Sequence, residues 1–125
     1  MTGDIVYKIA TEAQESSAFR LPTDRLFQNL LQARLSGAGT DQLAWQFHAS
    51  LAALITSACE QARQQTGLDA VALSGGVMQN TLLTHLCEQS LRLQGFHVLR
   101  HHLIPPNDGG ICLGQAAAAM YHLQK

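Results

Sequence analysis

The chain has 125 residues, of which 46% are hydrophobic and 14% are charged, and its formal net charge is −1. This composition is typical of one globular domain with a packed core, so we expect a single domain over residues 1–125 and exclude a disordered chain. The nearly balanced, scattered charges argue against a general affinity for nucleic acid or for an anionic membrane surface.

The sequence opens with a possible strand, followed by a helix. Alternation over residues 5–10 predicts a short strand, whereas residues 11–21 show no strong period and are expected to form a loop. A helix is expected after Pro22, with Thr23 or Asp24 as its cap. Its predicted inner face consists of Leu26, Phe27, Leu30, Leu31 and Leu35.

A longer helix is expected beyond the glycine-containing segment 36–39. Thr40 or Asp41 is its expected cap, and Gly67 is expected to end it because glycine readily adopts the left-handed conformation of a helix terminus. Apolar residues recur every three or four positions and predict one buried face. That face consists of Leu43, Phe47, Leu51, Leu54, Ile55, Ala58 and Ala62.

The remaining sequence alternates strands with helices. Residues 70–73 and 96–99 predict short strands, and each precedes a loop that opens onto a helix. The first of these helices is expected to start near Val77 and to end at Gly95, and the second to cover residues 116–121, where alanines permit close packing. The inner side of the first is predicted to be Leu82, Leu83, Leu86 and Leu93. This order predicts an α/β fold with a small, mostly parallel sheet covered by helices.

Cysteine spacing and hydropathy bear on the compartment. Cys59, Cys87 and Cys112 stand far apart without a C-x-x-C pair, which argues against a zinc ribbon or a disulfide framework and favours reduced thiols. No signal peptide is recognisable in residues 1–8, and no stretch approaches the roughly 18 apolar residues of a membrane span. We therefore expect a cytoplasmic protein without a membrane partner.

A diglycine turn follows the strand predicted over residues 70–73. Gly75 and Gly76 have no Cβ, so the main chain there can approach a ligand closely. A helix that starts near Val77 would direct free N–H groups at a phosphate, and Asn80, one turn further, could reach a ribose or phosphate oxygen. The sequence lacks the Gly-Lys-Ser/Thr of a Walker loop. A tight turn that binds nothing is the alternative, and it stays open.

The second loop, residues 105–110, reads Pro-Pro-Asn-Asp-Gly-Gly. Its prolines restrict the backbone and present Asp108 at the start of a helix. A carboxylate in this position could ligate a metal ion, or it could simply cap the helix. Both interpretations stay open.

The histidines indicate a functional site less clearly than the two loops do. His101 and His102 are neighbours on or near a strand, so they would face opposite sides and are expected at the surface. His48 lies inside the long helix and is expected to be half-buried and hydrogen-bonded. No Ser-His-Asp or Cys-His nucleophile set is recognisable, and we expect no catalytic residue in this chain.

At these positions the sequence resembles a known family. Phe47-His48 and the segments 72–80, 105–110 and 113–116 occur in the order and with the spacing of the C-terminal end of hydrogenase-maturation carbamoyltransferases of the HypF type. The resemblance covers most of the chain. It implies the C-terminal ribonuclease-H-like lobe of an actin-like ATPase fold, similar to that of the tRNA threonylcarbamoyl transferases.

The resemblance also implies an activity. Enzymes of this family use carbamoyl phosphate and ATP to carbamoylate the C-terminal cysteine of a partner protein, HypE, for the cyanide ligand of nickel–iron hydrogenase. Carried over by position, Gly75, Gly76 and Asn80 would bind the adenylate of ATP or carbamoyl-adenylate, and Asp108 would ligate iron or zinc. The other metal ligands would come from a preceding lobe, since a transition metal usually needs three or four protein ligands. We therefore expect the chain to be inactive alone and to meet that lobe, or a second copy of itself, through an exposed apolar face.

Other functions stay open on the sequence alone. One is a non-catalytic module that binds a nucleotide or completes another chain. Another is a lobe of an O- or N-carbamoyltransferase that acts on a tRNA base or a small-molecule hydroxyl. The plainest is a structural fragment whose loops are only turns. The runs at 105–110 and 113–116 favour the hydrogenase type.

Overall fold

The computed structural model describes residues 12–13 and 19–125, and the statements below refer to these residues. Two short strands, β1 (Glu12–Ala13) and β2 (Phe19–Arg20), pair antiparallel. The prediction of a loop over residues 11–21 is therefore wrong at these two strands, because strands this short leave no alternation to read in the sequence. The strand predicted over residues 5–10 lies outside the described residues.

Helix α1 spans Thr23–Leu35 and lies beside the next helix. Its N-cap is Pro22, whose carbonyl accepts from the N–H of Leu26 at 3.4 Å, and no side chain caps the helix. The prediction of Thr23 or Asp24 as cap is wrong because the helix starts earlier. Of the predicted inner face only Leu26 is buried, and three members are exposed at the surface: Phe27, Leu31 and Leu35.

Helix α2 spans Thr40–Thr66. Its N-cap is Gly39, whose carbonyl accepts from the N–H of Leu43 at 3.0 Å, so the prediction of Thr40 or Asp41 as cap is wrong. Its end at Gly67 is confirmed: this residue is left-handed, with φ of 73°, and its N–H bonds to the carbonyl of Arg63 at 2.8 Å.

The buried surface of α2 is broader than predicted, because α2 packs against α1 and also against the third helix. Leu54 is buried as predicted, Phe47 is 39% exposed, and the other predicted members are half-buried. Ala52 also joins the core. Three polar residues are buried on the same helix: Gln46, Ser50 and Thr56.

Strands β3 (Ala70–Leu73) and β4 (His97–Arg100) pair in parallel, with Leu73 opposite Arg100 at their carboxyl ends. The small parallel sheet is confirmed, although β4 begins one residue later than predicted. Helix α3 (Thr81–Leu93) supplies the crossover that a parallel pair requires. Together with α2 it covers the core, which consists of Ala52, Leu73, Leu83, Cys87, Leu91, Phe96 and Val98.

The start of α3 differs from the prediction. A 3₁₀ turn over Gly76–Gln79 follows the diglycine, and Asn80 is the N-cap of α3 rather than a residue one turn inside it. The predicted inner side is rotated: Leu83 is buried, but Leu82 and Leu93 are exposed. Thr84, Cys87 and Leu91 are buried in their place.

Helix α4 spans Ile111–Leu123, so it is longer than the predicted 116–121, and a 3₁₀ turn over Asp108–Gly110 leads into it. All of its residues are exposed, and that 3₁₀ turn is its main neighbour. The close packing that its alanines permit is not made with the described residues. None of the helices described is long and apolar enough to cross a bilayer.

Candidate functional site

The two predicted loops meet at the carboxyl-terminal edge of the β3–β4 pair. The N–H of Gly75 donates to the carbonyl oxygen of Pro106 at 2.9 Å. Beside this bond, the side chains of Ser74 and His101 are hydrogen-bonded, with 2.8 Å between Oγ and Nε2. Ligands of α/β proteins bind at this edge of the sheet, so the loops lie where a site is expected.

A cavity of about 270 Å³ opens between the loops. Three residues of the predicted site line it, namely Gly75, Gly76 and Asp108. The other lining residues are Ser74, His101, Pro105, Pro106, Asn107, Gly110 and Ile111. The fold therefore brings the diglycine and the aspartate loop to one pocket, although they are far apart in sequence.

Asn80 does not line this cavity. The 3₁₀ turn separates it from the diglycine, and its Oδ1 accepts from the N–H of Leu83 at 3.0 Å, as an N-cap does. Its neighbours Gln79 and Thr81 line a second cavity of about 270 Å³. His101 and Pro106 line both cavities, so the two spaces share a wall.

Two glycines of these loops, Gly75 and Gly110, are required for different reasons, and a third, Gly76, is not. Gly75 has φ of +100°, a conformation that other residues rarely adopt. A Cβ on Gly110 would stand 2.9 Å from the carbonyl oxygen of Pro105, so that glycine permits close packing within its loop. Gly76 has neither constraint: its φ is ordinary and a Cβ there would meet nothing within 4 Å. Nothing in the described chain explains a glycine at position 76.

Asp108 is not the cap of its helix. Asn107 takes that role for the 3₁₀ turn, since its Oδ1 accepts from the N–H of Gly109 at 2.9 Å. Asp108 is exposed at the cavity, and its carboxylate has no hydrogen bond or ion pair with the described residues. The alternative of a capping aspartate is therefore wrong, and the carboxylate stays free to meet a ligand.

The described residues do not form a metal site by themselves. Residues 12–13 and 19–125 contain no group of three or more His, Cys, Asp or Glu side chains placed to hold an ion. His97 and His101 have an H-x-x-x-H spacing, but His97 starts β4 and His101 follows its end. Such residues are roughly 13 Å apart along a strand, too far for one ion. Asp108 could supply one ligand, and the others would have to come from outside the described chain.

His101 is a residue of this region that the sequence did not reveal. It was expected at the surface, and it is exposed, yet it bonds to Ser74 and lines both cavities. The available signal was positional, because Ser74 and His101 are the first residues after β3 and β4. Parallel pairing in register brings such residues together.

Beside the second cavity, the positive charge of an arginine side chain is partly neutralised by a glutamate. Arg100 lines that cavity and donates to Glu88 at 2.6 Å, while Arg92 donates to the other carboxylate oxygen at 2.8 Å. The hydrogen bonds from Arg92 and Arg100 hold the pKa of Glu88 below its usual value, against a smaller opposing effect of burial.

In the core, burial and then the nearby Cys59 raise the pKa of Cys87 to about 11.

Comparison with known proteins places these features in a family. The family model described as "Carbamoyltransferase, Kae1-like Domain, second subdomain" matches residues 2–115. Among curated proteins, the chain is similar to the carbamoyltransferase HypF of Synechocystis sp., 42% identical over 79 residues, which are 63% of this chain and 10% of that protein. It is 37% identical to the carbamoyltransferase HypF of Rhodobacter capsulatus over 95 residues, 76% of this chain and 13% of that protein.

Two solved structures of HypF proteins are similar to the fold of this chain. Full-length HypF in its phosphate- and nucleotide-bound form superposes with a TM-score of 0.87 at 26% identity, over 100% of this chain and 16% of that one. T. kodakarensis HypF gives a TM-score of 0.72 at 26% identity, over 98% of this chain and 15% of that one. The chain thus spans about 10% to 16% of the length of these relatives.

Proposed function

The chain belongs to the HypF family of carbamoyltransferases, and from that premise we propose that it forms the nucleotide-binding lobe of a carbamoyltransferase active site. The observation that carries the proposal is the shared cavity of Gly75, Gly76 and Asp108. Full-length HypF, which superposes over the whole chain, was solved in a phosphate- and nucleotide-bound form, and this supports the same ligand class. In the proposal Gly75 and Gly76 let the adenylate of ATP or carbamoyl-adenylate approach the main chain, and Asn80 reaches it from the side.

The position of Gly76 supports a ligand at this place. A Cβ there would meet nothing within 4 Å in the described chain, so the space beside Gly76 is open to an occupant from outside the chain. An adenylate that stacks or hydrogen-bonds against the bare main chain is such an occupant.

Asp108 has a second role in this proposal. Its uncommitted carboxylate would supply one ligand to an iron or zinc ion beside the phosphate, because hard oxygen donors suit such cations when nitrogen donors complete the site. The described residues offer too few ligands, so the rest would come from another lobe of the active site.

The whole reaction is proposed to be that of the family: carbamoyl phosphate and ATP serve to carbamoylate the C-terminal cysteine of a HypE-like acceptor for hydrogenase maturation in the cytoplasm. This lobe contributes positioning, and no nucleophile. A covering lobe, or a second copy of the chain, would bury exposed apolar residues of α1 such as Phe27 and Leu35. Incubation of the chain alone with ATP, carbamoyl phosphate and acceptor peptide is therefore expected to leave the cysteine unmodified.

Nucleotide titration of the chain tests the proposal. Calorimetry or NMR with ATP and AMP should show saturable binding, and Gly76→Ala should weaken it about tenfold or more because the added Cβ occupies the ligand's space. Gly114→Ala is the matched control: its Cβ also meets nothing within 4 Å, but it lies on α4 and does not line the cavity. Absence of binding, or equal effects of the two variants, would reject the nucleotide site.

A further inference from the structure

His48 and Asn80 form a hydrogen-bond chain that joins α2 to the start of α3. Nδ1 of His48 lies 2.7 Å from the carbonyl oxygen of Ala44, one helical turn earlier. Nε2 of the same ring lies 2.8 Å from Nδ2 of Asn80. The Oδ1 atom of Asn80 accepts from the N–H of Leu83 at 3.0 Å. The edge-to-face contact between the rings of His48 and Phe47, 5.4 Å between centroids, restricts the imidazole further.

These contacts allow one assignment of protons. The N–H of Leu83 can only donate, so the atom of Asn80 that faces it must be the oxygen, and the amide NH₂ must face His48. The NH₂ group donates, so Nε2 of His48 has to be the bare nitrogen. The ring proton then sits on Nδ1 and donates to Ala44, whose carbonyl accepts. Each partner satisfies the next without conflict.

The amide of Asn80 is therefore oriented from two sides, because the N–H of Leu83 faces its oxygen and Nε2 of His48 faces its NH₂ group. One Nδ2 hydrogen is used by His48, and the second is left, on an exposed residue, to donate to a ligand. A rotated amide would present its oxygen instead and would repel an anionic or hydroxyl acceptor. His48, 32 positions earlier in the chain, is thus one of the two groups that decide which ligand atom Asn80 can take.

We propose that neutral His48, with its proton on Nδ1, is a positioning residue that holds Asn80 as a hydrogen-bond donor to a sugar or phosphate oxygen of the nucleotide. The ligand half of this inference rests on the proposed function, whereas the orientation of the amide does not. His48 touches no ligand in the proposal, and its effect passes through Asn80.

A pair of substitutions separates positioning from mere structure. In His48→Gln, Oε1 replaces Nε2 as the acceptor for Asn80, whereas His48→Asn is too short to reach it and preserves only a donor near Ala44. His85→Asn, at an exposed position of α3, is the control for the same residue change. Thermal unfolding of all three variants identifies any that fail to fold, and binding is compared only among folded proteins.

NMR of the 125-residue chain gives the first readout. Long-range ¹H–¹⁵N spectra should show His48 protonated on Nδ1 and bare at Nε2, and the Asn80 side-chain NH₂ signals should shift in His48→Asn but stay near their original positions in His48→Gln. A proton on Nε2, or Asn80 signals that are identical in the two variants, overturns the inference. Neither result requires a nucleotide.

Binding gives the second readout, with AMP and adenosine as probes. His48→Asn should weaken AMP binding about fivefold to tenfold, the effect of one well-placed hydrogen bond, and His48→Gln should restore it to within about twofold. A loss seen with both probes assigns the acceptor to the sugar, and a loss seen with AMP alone assigns it to the phosphate. Equal affinities of the Gln and Asn variants overturn the positioning role. If the wild-type chain binds neither probe, the proposed function fails, and the NMR result still decides the orientation of Asn80.

Discussion

The N–H of Gly75 and the carbonyl oxygen of Pro106 are 2.9 Å apart, and this single hydrogen bond joins the diglycine turn to the aspartate loop. Because both partners are main-chain atoms, the contact is specified by backbone geometry and not by side-chain identity. The fold itself therefore joins the two loops, before any ligand arrives.

Replacement of Gly75 by alanine should destabilise the chain. Its φ of +100° with ψ of 157° lies in a region that is nearly confined to glycine, so the cost should be about 1–3 kcal/mol of unfolding free energy. Gly76→Ala, next to it, should stay within about 0.5 kcal/mol because its backbone is ordinary and its Cβ meets open space. Urea unfolding of both variants measures the difference in unfolding free energy. Similar losses of stability in the two variants would contradict the glycine-specific backbone conformation of Gly75.

The second loop offers a comparable pair. Asn107→Ala removes the oxygen that accepts from the N–H of Gly109 and should cost about 1 kcal/mol. Asp108→Asn should change the stability by less than about 0.5 kcal/mol, since its carboxylate has no partner among the described residues. Chemical unfolding checks both values. A larger loss of stability for Asp108→Asn would show that the carboxylate stabilises the fold.

Acid should remove the contribution of Glu88. A carboxyl whose pKa is lowered by folding stabilises the protein above its unfolded pKa of about 4.3, and the stabilisation disappears as the pH falls through the lower folded value. Glu88→Gln should therefore be less stable than wild type at pH 7, by up to about 1 kcal/mol, and equal to it in strong acid. Glu60→Gln, which loses no ion pair within the described residues, is the control. A difference that persists in strong acid would point to packing.

The three thiols should react at very different rates. Cys112 is exposed, Cys59 is half-buried, and Cys87 is fully buried with its pKa raised to about 11, which disfavours the reactive thiolate. At a pH of about 8 a thiol reagent should label Cys112 first and Cys87 only when the protein unfolds. Cys112→Ser should abolish the fast phase, as followed by absorbance or mass spectrometry. Labelling of Cys87 at the rate of Cys112 would contradict its burial.

Local signals in the sequence were enough for part of this structure. The two strands of the parallel sheet and the end of α2 at Gly67 were predicted because apolar runs and a glycine with free φ act within a few residues. The 3₁₀ turn after the diglycine was missed, since its closure depends on Asn80, which caps the next helix and bonds to another one. The pairing of Ser74 with His101 depends on the register between two strands that are far apart in sequence, so no signal within a few residues predicts it.

The buried face of α1 was wrongly predicted for a related reason. Periodicity predicted which residues share a face, but it did not say whether a neighbour covers that face. Leu31 and Leu35 have the spacing of core residues and are nevertheless exposed in the described structure.

Because α4 is exposed, we expect this helix to unfold locally. A helix of 13 residues without tertiary support is marginal in water, so α4 should fray and reform without waiting for the core to unfold. Its amide hydrogens should exchange with deuterium in a fast, local process, whereas those around Leu83 and Leu91 should exchange only through global opening. Protection of α4 against exchange would then be a direct measure of how firmly any other surface holds it.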